Sequence, residues 1–279
     1  MIPPTSIDGT DITGATIDGT DVQEITVDGD VVFGAETPAG KYLLASSRTS
    51  GEVFMYEMST PFDISTAGSA QSQFTPGGDY RGHGMSLEGD LIHLKDGGTD
   101  IEQFSLTTPF DLTTTTSDHT ISGTDFGGIA FNDDGSVFYD AERNAGIINQ
   151  FNLSTNYDIS TRGSQTSESF PHDVRGISVV DSGTKLFING GSGNLNKYDL
   201  TTPYDVTTRT NRTTGSFTSD DSREIVLKED GTVFFTDNRS DDTIDQYDMT
   251  TAYDLNSITF VDSISAPATD SISLALNGV

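Results

Sequence analysis

The chain of 279 residues contains no cysteine. Disulfides, thiolate metal ligands and a cysteine nucleophile are therefore excluded. Lysine and arginine are also scarce, with 14 residues against 43 aspartates and glutamates, which gives a formal net charge of −29. Such a surface repels nucleic acid and anionic membranes, so no nucleic-acid partner is expected. No stretch approaches 18 consecutive apolar residues, so no membrane insertion is expected.

The acidic residues are mostly aspartate, 33 of the 43, and only 5 of the 14 basic residues are lysine. The charges are scattered along the chain and are not gathered in a tail. At molar salt the Debye length falls to about 3 Å, which screens the repulsion between like charges. This composition resembles that of proteins from extreme halophiles, the haloarchaea in particular. An ordinary acidic extracellular protein is the alternative.

One phrase recurs five times after residue 38, as STPFDISTA, TTPFDLTTT, STNYDISTR, TTPYDVTTR and TTAYDLNSI. Its aspartates lie 47 to 49 residues apart, at Asp63, Asp111, Asp158, Asp205 and Asp254. Seven residues before each aspartate, an aromatic residue begins an apolar i, i+2 pair that is typical of a strand. Upstream, two strand-like runs flank a glycine turn, as in GISVVDSGTKLFING. With a polar run as the fourth strand, this period of about 48 residues predicts a propeller blade.

The two ends of the chain fit together as one further blade. The last segment, SISLALNGV, matches the first strand of a repeat, and AGKYLLASS after residue 38 matches the second strand. Joining them closes the ring and removes its open strand edges. The predicted fold is therefore all-β, with a five-bladed β-propeller over residues 38–279. Strands from the N- and C-terminal parts close one blade, and a short β-hairpin segment over residues 1–37 precedes the propeller.

The repeated phrase is assigned a structural role. Its aromatic residue is expected to pack between blades. Its aspartate can accept hydrogen bonds from backbone N–H groups two or three residues later, which would fix the turn to the outer strand.

The first 37 residues contain three Asp-Gly pairs, ten residues apart and flanked by β-branched residues. This pattern predicts small hairpins with type I′ turns. So short a segment cannot bury a core of its own, and it is expected to pack on a partner. Calcium binding by the Asp-Gly pairs is an open alternative, although their spacing matches neither an EF-hand nor a calcium-binding nonapeptide repeat.

In a propeller the first strand of each blade lines the central axis, and the residues that lead into these strands form a mouth. Aligning the repeats on Met85, Ile129, Ile177, Ile225 and Ile272 places two rings of polar residues there. These rings and the adjacent Glu224 supply the candidate ligand-binding residues: Arg81, His83, Asp125, Asp173, Arg175, Asp221, Arg223, Glu224 and Asp270. Three roles are open for them, namely structural ion pairing, binding of a ligand such as a glycan, and catalysis.

Catalysis of glycoside hydrolysis would need axial carboxylates, one of them held protonated as a general acid. The candidates are Asp125, Asp173, Asp221 and Glu224. Arg175 and Arg223 stand within two residues of these acids, and neighbouring cations lower a carboxyl pKa. We therefore expect no catalytic residue, no enzyme activity and no cofactor.

The repeated phrases resemble those of propellers in virion surface proteins of tailed viruses, such as tail fibres, although this chain has Phe or Tyr where Trp is common. The phrase IDGTDVQEITVDG resembles N-terminal segments of virion structural proteins from haloarchaeal viruses. The resemblance implies a structural protein on the virion surface, bound to other virion proteins through residues 1–37 and homo-oligomeric in the particle. The propeller would then project outward and attach to a glycan or glycoprotein of the host surface.

Within that expectation, a tail fibre and a capsid decoration or turret are both open. The alternative function is a polysaccharide-cleaving propeller enzyme. A cellular surface protein of a halophile is a third possibility. The N-terminus lacks the basic and apolar regions of a secretory signal, which counts against this third possibility.

Overall fold

The computed structural model describes residues 38–47, 50–124, 126–191, 193–219, 221–266 and 274–277, together with the backbone of six short strands between residues 6 and 34. The chain divides into two compact units, Met1–Pro38 and Ala39–Val279. No helix in this described part is long and apolar enough to span a membrane. The helical elements described are four short 3-10 turns, at Ile64–Thr66, Leu112–Thr114, Ile159–Thr161 and Val206–Thr208.

The larger unit consists of five antiparallel, four-stranded sheets arranged as the blades of a propeller, which confirms the predicted fold. In each blade the strands follow one another from the axis outward. Blade 1 contains Leu274–Leu276, Tyr42–Ser46, Val53–Glu57 and Ser72–Phe74. Blade 2 contains Tyr80–Met85, Leu91–Asp96, Asp100–Leu106 and Thr115–Ser122. Blade 3 contains Ile129–Phe131, Val137–Glu142, Ile147–Asn152 and Thr166–Ser169. Blade 4 contains Gly176–Val180, Lys185–Gly191, Asn194–Leu200 and Arg209–Ser216. Blade 5 contains Val226–Leu227, Val233–Asn238, Thr243–Met249 and Ile258–Ser265.

Blade 1 closes the ring as predicted, because its innermost strand comes from the C-terminal part of the chain. Leu274 pairs with Ala45, and Leu276 pairs with Leu43, in antiparallel register. Residues 271–273, which were expected to belong to the same strand, lie outside the described residues. The side chain of Asn277 reinforces the junction, since its Oδ1 accepts hydrogen bonds from the backbone of Lys41 at 2.9 Å and of Tyr42 at 2.8 Å.

The core is divided into five apolar clusters, one between each pair of neighbouring blades. The aromatic residue at the start of each predicted i, i+2 pair is buried in this core, at Tyr56, Phe104, Phe151, Tyr198 and Tyr247. Its apolar partner two residues later is buried as well, at Met58, Leu106, Leu153, Leu200 and Met249. The apolar alternation of the repeat therefore marks the faces along which the blades stack.

The aspartate of the repeated phrase fixes a turn, as predicted. Asp63 accepts a hydrogen bond from the backbone N–H of Ser65, two residues later, at 3.1 Å. The same bond is made at 3.0 Å in every other repeat, by Asp111, Asp158, Asp205 and Asp254.

The aromatic residue before each aspartate lies on the glycine turn that joins the two inner strands of its blade. In blade 3, the N–H of Tyr157 donates to the carbonyl of Gly135 at 2.8 Å, and a Cβ on that glycine would lie 2.3 Å from the tyrosine ring. Only glycine leaves room for the ring there. The aromatic residue itself has a φ of 60° or 61° in all five repeats, at Phe62, Phe110, Tyr157, Tyr204 and Tyr253.

The phrase also joins neighbouring blades through its backbone. In blade 1, the N–H of Ile64 donates to Oε1 of Gln246 in blade 5 at 2.7 Å, which links the first and last repeats. A buried amide of this kind needs such a partner. At three other boundaries the equivalent N–H donates to a side chain of the preceding blade, from Leu112 to Ser72, Ile159 to Gln103 and Val206 to Gln150. At the fourth boundary the direction is reversed, and Nζ of Lys197 donates to the carbonyl of Tyr253 at 2.8 Å.

The smaller unit contains three antiparallel strand pairs, as the Asp-Gly pattern predicts. The pairs are Ser6–Ile7 with Thr10–Asp11, Thr16–Ile17 with Thr20–Asp21, and Glu24–Val27 with Asp30–Gly34. The type I′ turns expected at the Asp-Gly pairs lie outside the described residues, as do the side chains that a calcium site would use.

Candidate functional site

The mouth of the propeller is a hollow lined mainly by arginines from four blades. Its lining residues are Arg81, Phe126, Gly127, Arg143, Arg175 and Arg223. Arg81, Arg175 and Arg223 belong to, or lead into, the first strands of blades 2, 4 and 5, and Arg143 follows the second strand of blade 3. Arg239 follows the second strand of blade 5, as Arg143 does in blade 3, and it lies beside them. Five of the nine arginines of this acidic chain therefore gather at one end of the axis.

The first-ring positions of blades 3, 4 and 5, namely Gly127, Arg175 and Arg223, border the hollow, whereas the alignment of blade 2 was wrong by two residues. Arg81, and not His83, lies in the hollow with Arg175 and Arg223. His83 lies deeper, level with Ile129 and Ile177 along the axis. In blade 1 the equivalent residue is Leu274, not Ile272, so the alignment was wrong by two residues there as well. A slip of two residues keeps every side chain on the same face of a strand, so apolar patterning does not detect it.

Aspartates at the mouth pair with the arginines. Asp221 is held by Arg175, at 2.8 Å, and by Arg239. Asp173 lies 3.7 Å from Nε of Arg143. Arg81 is paired at 2.7 Å with Asp79, which is not among the residues of the predicted rings. Asp125 and Asp270 lie outside the described residues.

The arginines lower the pKa of the carboxylate between them and disturb one another. Burial acts to raise the pKa of Asp221, but hydrogen bonding to Arg175 and the charges of Arg239 and Arg223 outweigh it, and the pKa lies below its ordinary value. Burial and the neighbouring charge of Arg239 lower the pKa of Arg223 to about 10. Burial and the charge of Arg175 likewise lower the pKa of Arg143. The hollow is therefore a site of concentrated positive charge.

Below the mouth, the axial channel is filled by the inner strands. Apolar side chains such as Ile129, Ile177 and Leu274 line it, and it encloses about 20 Å³. That volume has room for about one water molecule. His83 lies in this channel, and burial lowers its pKa to about 3, so the imidazole is neutral.

Glu224 also points into the channel, away from the arginine hollow. It is 1% exposed, and a Cβ on Gly128 of blade 3 would lie 2.5 Å from its Oε1. Burial, followed by the charge of Asp237, raises the pKa of Glu224 well above its ordinary value. The expectation that the neighbouring arginines would lower this pKa is therefore wrong. Successive residues of an extended chain face opposite ways, so Arg223 turns to the mouth while Glu224 turns to the axis.

Four charged residues of the site lie outside the predicted rings, namely Asp79, Arg143, Arg239 and Asp237. Arg143 and Arg239 follow the second strands of blades 3 and 5. They lie two repeat periods apart in the sequence, and this spacing could have shown that they occupy equivalent positions. Asp237 is the penultimate residue of the second strand of blade 5, Val233–Asn238, and is fully buried. Its Oδ1 accepts hydrogen bonds from the backbone N–H groups of Arg223 and Glu224, both at 2.7 Å. Burial raises the pKa of Asp237 to about 7.

The chemistry available at the mouth is that of guanidinium groups and carboxylates. Guanidinium groups hold carboxylates and other oxyanions through paired N–H bonds. Within the described residues, no group of three or more His, Asp or Glu side chains is arranged to hold a metal ion. The site thus favours the recognition of an anionic or hydroxyl-bearing group.

The chain matches no protein-family model and no curated protein. It is similar to several solved structures, one of them a β-propeller domain. A candidate 6-phosphogluconolactonase from Bacteroides uniformis is 11% identical, with a TM-score of 0.50 over 85% of this chain and 71% of that one. A functionally unknown protein from Desulfotomaculum acetoxidans is 12% identical, with a TM-score of 0.47 over 81% and 66%. A β-propeller domain from Myceliophteria thermophila is 15% identical, with a TM-score of 0.46 over 81% and 68%. Likeness at this level of identity shows the fold alone, and a fold shared with 1325 solved chains does not select a function.

Proposed function

We propose that this chain is a non-enzymatic binding protein on the virion surface of a haloarchaeal virus, and that its propeller attaches to a host-surface glycan or glycoprotein. The observation that carries the binding role is the arginine hollow set over a filled channel. Such a mouth offers a concave, charged surface at the axis and no route into the interior. Concave sites with a few convergent polar groups are the usual place for ligand recognition.

Binding is favoured over catalysis because of where the carboxyls lie. A glycoside hydrolase needs a protonated acid in contact with the scissile bond. Asp221 lies at the mouth, but its arginine partners keep it ionised by lowering its pKa. Glu224 has a raised pKa, yet it is buried in a channel that encloses about 20 Å³, into which no sugar ring fits.

The raised pKa of Glu224 is the one observation that favours the alternative, a polysaccharide-cleaving enzyme. A buried carboxyl whose pKa is raised has the property expected of a general acid. The alternative therefore requires that the inner strands part and bring Glu224 to the surface.

The virion role is supported by the repeated phrases, the N-terminal segment and the acidic composition. A net charge of −29 suits a protein that works in concentrated salt, where its self-repulsion is screened. Residues 1–37 would bind other virion proteins, and the propeller would be homo-oligomeric in the particle. A tail fibre and a capsid decoration both meet this description.

Two measurements test the proposal. Gold-labelled antibody against the propeller should decorate purified virus particles, and an unlabelled particle would overturn the virion role. The purified protein should bind host cells in molar KCl, and the charge-neutral double variant Arg175→Gln/Asp221→Asn should bind less. The matched control is Arg162→Gln/Asp262→Asn, which makes the same changes away from the mouth. If wild-type protein releases reducing sugar ends from host glycans and Glu224→Gln does not, the enzyme is favoured instead.

A further inference from the structure

The arginines of the mouth are positioned as donors to one small group. Arg81, Arg143, Arg175 and Arg223 come from four different blades and border one hollow, which encloses about 10 Å³. That is space for about one water-sized group. A sugar ring does not fit between the guanidinium groups, but one oxygen of a charged sugar substituent does, with the rest of that substituent at the open rim of the hollow.

The guanidinium groups are held in place by the fold. Arg81 stacks on the ring of Phe126, with Cζ 4.4 Å from the ring centroid. Arg175 packs on Gly191, where a Cβ would lie 2.3 Å from the arginine Cζ. The side chains of Arg81 and Arg175 are only 14% and 13% exposed. A site whose side chains are already ordered loses little conformational entropy when it binds.

The positive charge of the hollow is only partly neutralised by the described residues. Arg81, Arg143 and Arg175 have carboxylate partners, but Arg223 makes no side-chain hydrogen bond or salt bridge within the part of the chain that the structure describes. The Nε atoms of Arg81, Arg175 and Arg223 are buried and have no acceptor among those residues. Buried donors of this kind are normally hydrogen-bonded.

We propose that the arginine hollow binds one oxyanion group, a sulfate or carboxylate carried by a sugar of the host surface glycan. This inference rests on the proposed attachment function and names the chemical group that the mouth recognises. The planar guanidinium fork matches the paired oxygens of sulfate and carboxylate. A polyanion such as nucleic acid is disfavoured, because the remainder of the surface is strongly acidic.

Calorimetric titration of the full-length protein tests this inference, with ionic strength held constant by KCl. The probes are glucose 6-sulfate, glucuronate, glucose and inorganic sulfate. We expect glucose 6-sulfate, glucuronate or both to bind, and glucose not to bind. Binding of glucose as tight as that of the charged sugars would overturn the proposal. Binding of inorganic sulfate alone would make the hollow a free-anion site and would overturn the glycan assignment.

The variant Arg223→Gln isolates the hollow, because Arg223 has no described partner that its removal would leave unpaired. We expect the affinity for the charged sugar to fall about 10- to 100-fold, which is the effect of losing one charge-assisted hydrogen bond. The melting temperature should stay the same or rise, since repulsion among the arginines is relieved. Unchanged affinity would overturn the proposal. A lower melting temperature would assign Arg223 a structural role instead.

Arg162→Gln is the matched control, because it removes one guanidinium away from the mouth, where Arg162 donates to the carbonyl of Ser122 at 3.0 Å and lies over the ring of Phe151. Its affinity for the charged sugar should equal that of the wild type. An equal loss in this control would mean that net charge alone governs binding, which would also overturn the proposal.

This inference and the proposed function fail in different ways. If the protein decorates particles and binds host cells but no charged sugar, the anion site is wrong and the attachment role stands. If charged sugars bind through Arg223 while antibody leaves the particle unlabelled, the anion site stands and the virion role is wrong.

Discussion

Replacing Asp237 by asparagine should stabilise the propeller above neutral pH. Asp237 is fully buried, and its folded-state pKa is raised from 3.8 to about 7. Below pH 4 the carboxyl is protonated in both the folded and unfolded states, so it costs nothing. As pH rises toward 7, the unfolded state loses its proton first, and the stability of the folded state falls. Asparagine carries no charge and avoids this loss.

The size of the effect follows from the pKa. A rise of about three pH units corresponds to about 4 kcal/mol at 1.4 kcal/mol per unit, fully expressed near pH 8. For a chain of this size that is a difference in melting temperature of about 8–16 °C. The hydrogen bonds from the backbone of Arg223 and Glu224 to Oδ1 can be kept by the asparagine oxygen. Removing the charge of Asp237 also eases the ionisation of Glu224, which acts in the same direction.

Thermal unfolding followed by circular dichroism, in molar KCl from pH 4 to pH 9, measures this difference. The variant and the wild type should melt together near pH 4 and separate progressively up to pH 8. The exposed Asp262→Asn variant removes the same charge and should change stability by less than about 0.5 kcal/mol. A difference between Asp237→Asn and wild type that does not depend on pH would refute the reasoning, as would a variant that is less stable at pH 8.

Three further predictions concern salt, the N-terminal segment and the closure of the ring. The melting temperature of the isolated protein should rise from 0.1 M to molar KCl, because salt screens the repulsion within a surface of net charge −29; a flat or falling series would contradict the halophile assignment. Deleting residues 1–37 should leave a folded propeller that no longer joins the virus particle, and its incorporation into particles would place the anchor on the propeller. Gln246→Ala should lower the free energy of unfolding by about 1–3 kcal/mol, because it removes the acceptor of the buried N–H of Ile64, which donates to Oε1 of Gln246 at 2.7 Å. Calorimetry should show no comparable loss for the exposed Gln71→Ala, and an equal loss would mean that the inter-blade bond has no special role.

The repeated phrase shows why the fold could be predicted from the sequence. The bond from Asp63 to the N–H of Ser65 spans two residues, so a local pattern suffices to predict it. The glycine turns between inner strands are local in the same way. The strand order within each blade follows the chain order, and only the strand of Leu274 joins a distant partner. That partner could be recognised because both ends of the chain carry complementary parts of one repeat.

The candidate site was predicted less completely than the fold. Arg175, Asp221 and Arg223 meet at the mouth, as the alignment indicated. His83 does not, because the alignment set Met85 level with Ile129, a position that His83 holds in the structure. The first strand of blade 2 is rich in glycine and polar residues, so it offered no branched apolar residue by which to fix the alignment.

The sequence by itself determined the number of blades, their four-strand plan, the closure of the ring and the structural role of the aromatic-Asp phrase. These features depend on the repeat period, on the residues of the turns and on hydrogen bonds between residues close in the chain. All three can be recognised from short stretches of the sequence. Only the tertiary structure decided that Arg143 and Arg239, which follow second strands, meet arginines that belong to or lead into the first strands of other blades. It also decided that Glu224 faces the axis with a raised pKa while Arg223 faces the mouth. Ring closure brings distant repeats together, and the depth at which a side chain is buried sets its charge.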